Sequence, residues 1–230
     1  LKIKFFSQMI NDKLIQNKKV NQSSMRWLML AGVWLIYFSF GLTISGMAPI
    51  VKLILIDLKM SYTEMGSVLG AWQLVYIFSA IPCGLLVDRL GPRKSLLIAI
   101  FLMSISGFAR SLSFDFLSLF VSVTIFGLGG PIVSSGAPKL VALYFSGQER
   151  GLAMGIYITG PATAGLLTFS STHPFFLPLF DGDWRAVIQL WSIVTLVAGV
   201  IWLLIARASE VEKIEKSVSL SEKKKGLSQV

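Results

Sequence analysis

The chain contains very few of the residues from which catalytic and metal sites are built. Its 230 residues include one cysteine, Cys83, and one histidine, His173. One cysteine excludes an intramolecular disulfide, and a metal site normally needs several His, Cys or carboxylate ligands. The sequence also has no Ser-His-Asp pattern, no glycine-rich phosphate loop and no pair of carboxylates within an apolar run. We therefore expect no enzyme activity, no metal and no cofactor.

Charge is also scarce, and it is unevenly placed. Charged residues make up 14% of the chain against 54% apolar residues, and the mean hydropathy is +0.71. This leaves too little polar surface for a soluble globule. Six intervals contain no Asp, Glu, Lys or Arg: residues 27–51, 65–87, 95–109, 116–138, 151–180 and 186–206. Because a membrane-spanning helix needs about 20 residues, they predict an all-α polytopic membrane protein with six transmembrane helices.

The third interval is short for a membrane span. Arg110 follows it directly. We expect this side chain to snorkel to the membrane interface, so that the helix continues to about Phe114.

The basic residues indicate the orientation of the helices. With a cytoplasmic N-terminus, 17 of the 21 Lys and Arg residues fall on inside pieces, as the positive-inside rule requires. We expect an integral membrane protein of the plasma (inner) membrane with both termini cytoplasmic. Because the basic residues are spread along the chain, nucleic-acid binding is disfavoured. The predicted parts are a lead (1–26), a six-helix bundle (27–206) and a lysine-rich tail or linker (207–230).

Polar residues near the middle of the apolar intervals are the candidates for a solute cavity. At membrane depth such residues tend to face a bundle interior or a wet cavity. The alternative is helix packing, most of all for Ser45, which is four residues from Gly41 and shares its helix face. The candidate residues are Ser45, Gln73, Tyr76, Thr159 and Thr163.

Glycine is concentrated in the fourth and fifth intervals. Small residues let helices approach closely in a membrane, and many of them weaken a helix unless neighbours support it. We interpret five glycines as helix-packing or helix-bending positions: Gly127, Gly129, Gly130, Gly155 and Gly160.

A polar stretch from Gly84 to Lys94 separates the second and third intervals. It reads Gly-Leu-Leu-Val-Asp-Arg-Leu-Gly-Pro-Arg-Lys. A helix does not continue through Gly91-Pro92 without losing a hydrogen bond. The stretch therefore predicts a tight loop between two transmembrane helices.

This stretch resembles the loop motif of the major facilitator superfamily, Gly-x-x-x-Asp-(Arg/Lys)-x-Gly-x-(Arg/Lys)-(Arg/Lys). Every fixed position is matched, by Gly84, Asp88, Arg89, Gly91, Arg93 and Lys94. The resemblance spans about residues 27–206, one half of the usual twelve-helix architecture. It implies a bundle of two three-helix inverted repeats, the N-terminal half of a secondary active transporter that moves a small solute by alternating access. Its implied partners are the solute, membrane lipid, and a second six-helix half or a homodimer partner.

The resemblance also implies a mechanism for the loop motif. Asp88 would hold the cytoplasmic side closed by meeting a helix N-terminus or a cation of the other bundle, while the basic residues fix the loop. The alternative is that these charges only set topology. Val123 stands near the position where many proton-coupled relatives carry arginine, so coupling by that route is not expected. The stretch from Arg150 to Gly155 is similar to the cyanate and nitrate/nitrite branch, which suggests a small anion.

Two other functional classes stay open. A six-helix sensor or scaffold would need no continuous cavity. A membrane-embedded enzyme would need a cluster of ionisable groups near His173, and the sequence does not show one.

Overall fold

The computed structural model describes residues 25–208, and all regular secondary structure in that range is helical. Residues 1–24 and 209–230 lie outside the described range, so most of the predicted lead and tail is not part of the description. Within residues 25–208, six helices are long and apolar enough to cross a membrane. They are α1 (Met25–Asp57), α2 (Tyr62–Leu90), α3 (Pro92–Ser111), α4 (Phe116–Tyr144), α5 (Gly147–Leu179) and α6 (Trp184–Ala208).

Two of these helices are interrupted near the same end of the bundle. Helix α1 is regular over 25–45, turns at 46–47, passes through a 3-10 turn at Ala48–Ile50 and resumes at Val51–Asp57. Helix α5 changes to a π turn at Thr172–Phe176, which contains Pro174. Since proline lacks an N–H, it favours such breaks. The two breaks are joined where His173 Nε2 lies 2.8 Å from the Pro49 carbonyl oxygen.

Helix starts follow the local sequence. Ser61 Oγ accepts from the Glu64 N–H at 3.2 Å, and the Glu64 carboxylate accepts from the Ser61 N–H at 2.7 Å, so α2 begins at Tyr62. Asp115 and Ser118 form a second capping box at the start of α4. Hydrogen bonds with the side chain and backbone of Ser118 hold the pKa of Asp115 below its usual value.

Glycines let two pairs of helices approach closely in a symmetric way. A methyl group at Gly41 of α1 would lie 2.5 Å from the Pro161 Cα of α5, and one at Gly127 of α4 would lie 2.6 Å from the Trp72 carbonyl oxygen of α2. Exchanging α1 with α4 and α2 with α5 turns one contact into the other. The bundle therefore has the arrangement expected for two inverted three-helix repeats.

The helices are not equally covered. Only 22% of the most apolar stretch of α2 and 28% of that of α5 is buried, against 56% for α3 and for α4. The core lies between α3, α4 and the inner faces of α1 and α6, around residues such as Phe126, Met103 and Trp202. Helices α2 and α5 leave long faces uncovered at the surface of the bundle.

The end of the bundle opposite the motif loop is closed by polar contacts between loops. Arg185 forms an ion pair with Asp57 and donates to the Ser113 carbonyl oxygen at 2.8 Å. Trp184 is only 4% exposed and donates to Asp57 Oδ2 at 3.1 Å. The Asp57 carboxylate thus gives the Trp184 indole N–H a partner inside the protein.

Candidate functional site

The motif loop is a single glycine between two helices. Helix α2 ends at Leu90, Gly91 has a φ of 80°, and α3 begins at Pro92. Residues other than glycine rarely adopt this backbone conformation. The Gly91 N–H donates to the Val87 carbonyl oxygen at 3.0 Å, and its own carbonyl accepts from the Ser95 hydroxyl at 2.8 Å. Gly91 thus ends one helix and starts the next without a longer connection.

Asp88 of the motif has a partner within the same bundle. Its carboxylate forms an ion pair and hydrogen bond with Lys139 near the end of α4, and its side chain is 59% exposed. Arg89 and Lys94 are also exposed, whereas Gly84 has free space where a methyl group would stand. The expected partner in another bundle stays a prediction. The sequence analysis did not predict Lys139 as this partner. The available signal was that Lys139 directly follows the fourth interval, on the same predicted side of the membrane as the motif.

A second ion pair lies near the start of α5 and joins it to α1. Arg26 holds Glu149 with two hydrogen bonds of 2.7 and 3.2 Å. Its guanidinium group also lies over the rings of Trp27 and Phe145, at 5.8 and 5.5 Å from their centroids. Ion pairs therefore link α2 with α4 and α1 with α5, the same two helix pairs that the glycines bring together.

A cavity of about 390 Å³ lies on the face of the bundle formed by α1, α2 and α4. Tyr76 and Ser134 meet across it, with their hydroxyl oxygens 2.7 Å apart. Gln73 and Ser134 are exposed, so the cavity opens at the bundle surface. Its lining is formed by Tyr37, Phe40, Trp72, Gln73, Tyr76, Ile77, Val133 and Ser134.

The structure brings two of the five predicted cavity residues together, Gln73 and Tyr76. The other three lie on α1 and α5. Thr159 accepts from the Trp34 indole N–H at 3.0 Å, and the Thr163 hydroxyl donates to the Thr159 carbonyl oxygen at 3.0 Å. Ser45 lies against Gly165 of α5. None of these three residues lines the described cavity, so a role for them in solute binding stays a prediction.

Sequence reasoning missed the aromatic part of this cavity. Tyr37 and Phe40 are three residues apart on α1, and Trp72 and Tyr76 are four apart on α2, so each pair shares a helix face. Apart from Tyr76, which was predicted, they were treated only as parts of the apolar intervals. Their helical spacing, together with the neighbouring Gln73, was the available signal.

Glycines of α4 set the position of the cavity wall. A methyl group at Gly127 would lie 2.6 Å from the Trp72 carbonyl oxygen, and one at Gly130 would lie 2.8 Å from Tyr76 Cδ2. Gly129 faces α3 instead, where an added methyl group would lie 3.2 Å from the Ala99 carbonyl oxygen. Two of the three predicted α4 glycines thus hold the aromatic residues of α2 against α4.

Gly155 differs from the other predicted packing glycines. It is exposed, and a methyl group there would have no neighbour within 4 Å. Gly160, five residues later, lies against the backbone of α1. A packing role for Gly155 therefore stays a prediction that requires a partner surface on the uncovered face of α5.

Arg110 lies inside the bundle and does not reach its surface. It is only 3% exposed, and its Nη1 donates to the Thr43 carbonyl oxygen at 2.7 Å. Its guanidinium group lies 5.4 Å from the centroid of the Phe126 ring. The expectation that Arg110 snorkels to the interface was wrong, because the break in α1 exposes a carbonyl group and the aromatic face adds a cation–π contact.

Comparison with known proteins decides the family. The model of the Major Facilitator Superfamily matches residues 33–229. The chain belongs to this family. As a member, it is an integral membrane protein whose relatives are named as transporters.

Three similar relatives in the superfamily show the range of those names. The chain is 25% identical over 164 residues to the hexuronate transporter of Bacillus subtilis, covering 71% of this chain and 38% of that protein. It is 29% identical over 192 residues to the nitrate/nitrite transporter NrtP of Nostoc punctiforme, covering 80% and 38%. It is 33% identical over 102 residues to a probable L-galactonate transporter of Escherichia coli, covering 44% and 22%. The matched part therefore spans at most 38% of these relatives' length.

Proposed function

We propose that this chain is the N-terminal six-helix half of a secondary active transporter that moves a small hydrophilic solute by alternating access. The observation that carries the proposal is the surface-open cavity on α1, α2 and α4. A cavity lined from one side only needs a second wall to enclose a solute. A second six-helix bundle, or a second copy of this chain, would supply that wall.

The uncovered faces of α2 and α5 support this arrangement. They include glycines that have free space where a side chain would stand, Gly66 and Gly84 on α2 and Gly151 and Gly155 on α5. Small residues permit close helix contact in a membrane. The two helices therefore offer surfaces along which another bundle would pack and slide.

In this proposal the Asp88–Lys139 pair belongs to the cytoplasmic closing contact. The pair is exposed at the loop end of α2 and α4. A second bundle that approached this end would compete with Lys139 for the Asp88 carboxylate, and the exchange of partners would accompany opening and closing. The protein would sit in the plasma membrane with residues 1–26 and 207–230 in the cytoplasm, the latter as tail or linker between halves.

The cavity supports a larger polar solute better than it supports a small anion. Among the residues that line the described cavity there is no lysine or arginine, so this wall cannot pair the charge of an anion. A solute that binds here must present uncharged groups to the wall, which nitrate and cyanate lack. Two of the three relatives compared above are named for sugar-derived acids and one for nitrate and nitrite. We propose a solute of the first kind, a hydroxyl-bearing organic molecule.

The test is uptake into proteoliposomes that contain the protein expressed from its complete coding region. Radiolabelled D-glucuronate and nitrate are offered with and without an imposed proton or sodium gradient. The proposal predicts saturable uptake of glucuronate above that of protein-free liposomes. Inserted protein that gives no uptake of either solute under any gradient would contradict it.

A further inference from the structure

The Ser134 hydroxyl group lies within hydrogen-bond distance of the Tyr76 hydroxyl and of backbone carbonyl groups. The Ser134 hydroxyl donates to the Gly130 carbonyl oxygen at 3.1 Å, with Pro131 O also near at 3.3 Å. A serine hydroxyl has one hydrogen. In the 2.7 Å contact between Tyr76 and Ser134, either hydroxyl group can be the donor. The direction that also keeps the Ser134 bond to the backbone has Tyr76 as the donor. In that arrangement the Tyr76 oxygen can only accept a hydrogen bond from a solute in the cavity.

The remaining wall is aromatic and uncharged. The rings of Trp72 and Tyr76 stand nearly perpendicular with centroids 6.2 Å apart, and Phe40 meets Trp72 at 6.4 Å. Gln73 adds an exposed amide, which both donates and accepts. With Tyr76 donating to Ser134, the wall combines flat apolar surfaces, one amide and one hydrogen-bond acceptor.

We infer that this wall selects its solute by hydrogen-bond donors and binds the hydroxyl-bearing part of a ring-shaped polar molecule. A solute hydroxyl donates to Tyr76, neighbouring hydroxyls meet the Gln73 amide, and the C–H faces of the ring lie on the aromatic side chains. The inference rests on the proposed function, since it takes this cavity as the solute site. An acidic group on such a solute would point away from this wall, towards the second half.

The same geometry rejects two other kinds of solute. Nitrate and cyanate have no hydrogen to donate and would place a negative oxygen or nitrogen against the Tyr76 oxygen. An organic ammonium ion would find aromatic faces. The described lining has no carboxylate to pair with its charge, and an unpaired charge at membrane depth is costly.

Binding of radiolabelled D-glucuronate to the purified full-length protein, measured by equilibrium dialysis, tests the inference. Three unlabelled competitors share a six-membered ring: myo-inositol carries hydroxyls, cyclohexanecarboxylate a negative charge and cyclohexylammonium a positive charge. We expect saturable binding that myo-inositol displaces, while the other two and nitrate fail to displace it at tenfold higher concentration. Absence of saturable binding, or displacement by nitrate or a charged ring as effectively as by myo-inositol, would overturn the inference.

Two variants with matched controls examine the hydrogen assignment. Tyr76→Phe removes the acceptor and should weaken glucuronate binding by about fivefold, the size of one hydrogen bond. Tyr62→Phe, at an exposed position at the start of α2, should leave binding unchanged. Equal affinity of these two variants would refute the role of Tyr76.

Ser134→Ala makes a gain rather than a loss. The substitution frees the Tyr76 hydrogen to donate into the cavity, so nitrate should begin to compete with glucuronate. A misfolded protein would lose binding and would not gain competition by nitrate. Ser135→Ala, at the next residue, is the control and should bind as the unmodified protein does. If Ser134→Ala behaves like Ser135→Ala, the assignment is wrong.

Binding and uptake separate this inference from the proposed function. Protein that binds glucuronate with this competition pattern but transports nothing would contradict the transport proposal and support the inference. Protein that transports nitrate and binds neither glucuronate nor myo-inositol would contradict the inference and leave transport in place.

Discussion

The contact between α1 and α5 gives a prediction that can be worked out from distances. Replacing Gly160 by alanine places a methyl carbon 2.8 Å from the Phe38 nitrogen and 3.0 Å from the Trp34 carbonyl oxygen. Both are backbone atoms, which cannot rotate away. Ordinary van der Waals contacts of a Cβ atom begin at 3.4 Å. To bring the 2.8 Å contact to that distance, the two helices must separate by roughly 0.6 Å. The substitution therefore overpacks the contact between α1 and α5.

This separation carries an energetic cost. Overpacking typically costs about 1–3 kcal/mol, and the movement also lengthens the 3.0 Å hydrogen bond from Trp34 to Thr159, worth about 1 kcal/mol. Alanine returns about 1 kcal/mol because it favours the helix more than glycine does. We expect Gly160→Ala to lower the free energy of unfolding by about 1–3 kcal/mol.

Gly155→Ala is the matched control, because it lies on the same helix with no neighbour within 4 Å. Helix propensity alone predicts no loss and a gain of up to about 1 kcal/mol. Denaturant unfolding of both variants in detergent, followed by tryptophan fluorescence, gives the comparison. A Gly160→Ala protein at least as stable as Gly155→Ala would refute the reasoning.

Two further predictions concern charged residues. Asp88→Asn should slow uptake in proteoliposomes while changing stability by no more than about 1 kcal/mol, because its ion pair with Lys139 is exposed; Asp181→Asn, in the turn before α6, is the control, and equal uptake by the two variants would discard the closing role of Asp88. Arg110→Ala should lower the free energy of unfolding by about 2–4 kcal/mol, since it leaves a void beside Phe126 and an unsatisfied Thr43 carbonyl oxygen. Lys52→Ala, at an exposed position, should stay within about 0.5 kcal/mol. If the Arg110→Ala protein is as stable as the Lys52→Ala protein, the buried contacts of Arg110 do not contribute to the free energy of unfolding.

The six helices and the motif loop were predictable because each depends on local properties. Long uncharged intervals give membrane-spanning helices, the Ser61–Glu64 box gives the start of α2, and Gly91-Pro92 gives the turn. These features need no knowledge of which helices touch. Their predicted locations agree closely with the structure.

The cavity and the buried arginine were not predictable in the same way. Which face of α1 meets α2 and α4 depends on helix packing, so the sequence did not show that Tyr37 and Ser134 line the same cavity. Arg110 had two plausible positions, and its burial depends on the break in α1 that exposes the Thr43 carbonyl group. Pairing of Asp88 with Lys139 likewise depends on α2 and α4 being neighbours.

The most direct test of alternating access is the reactivity of one cavity position from both sides of the membrane. A Gln73→Cys protein, with Cys83 replaced by alanine, is treated with a membrane-impermeant maleimide in right-side-out and inside-out vesicles. A cavity that opens to each side in turn predicts labelling in both kinds of vesicle, with D-glucuronate changing both rates. Labelling from one side only, or from neither, would contradict the account.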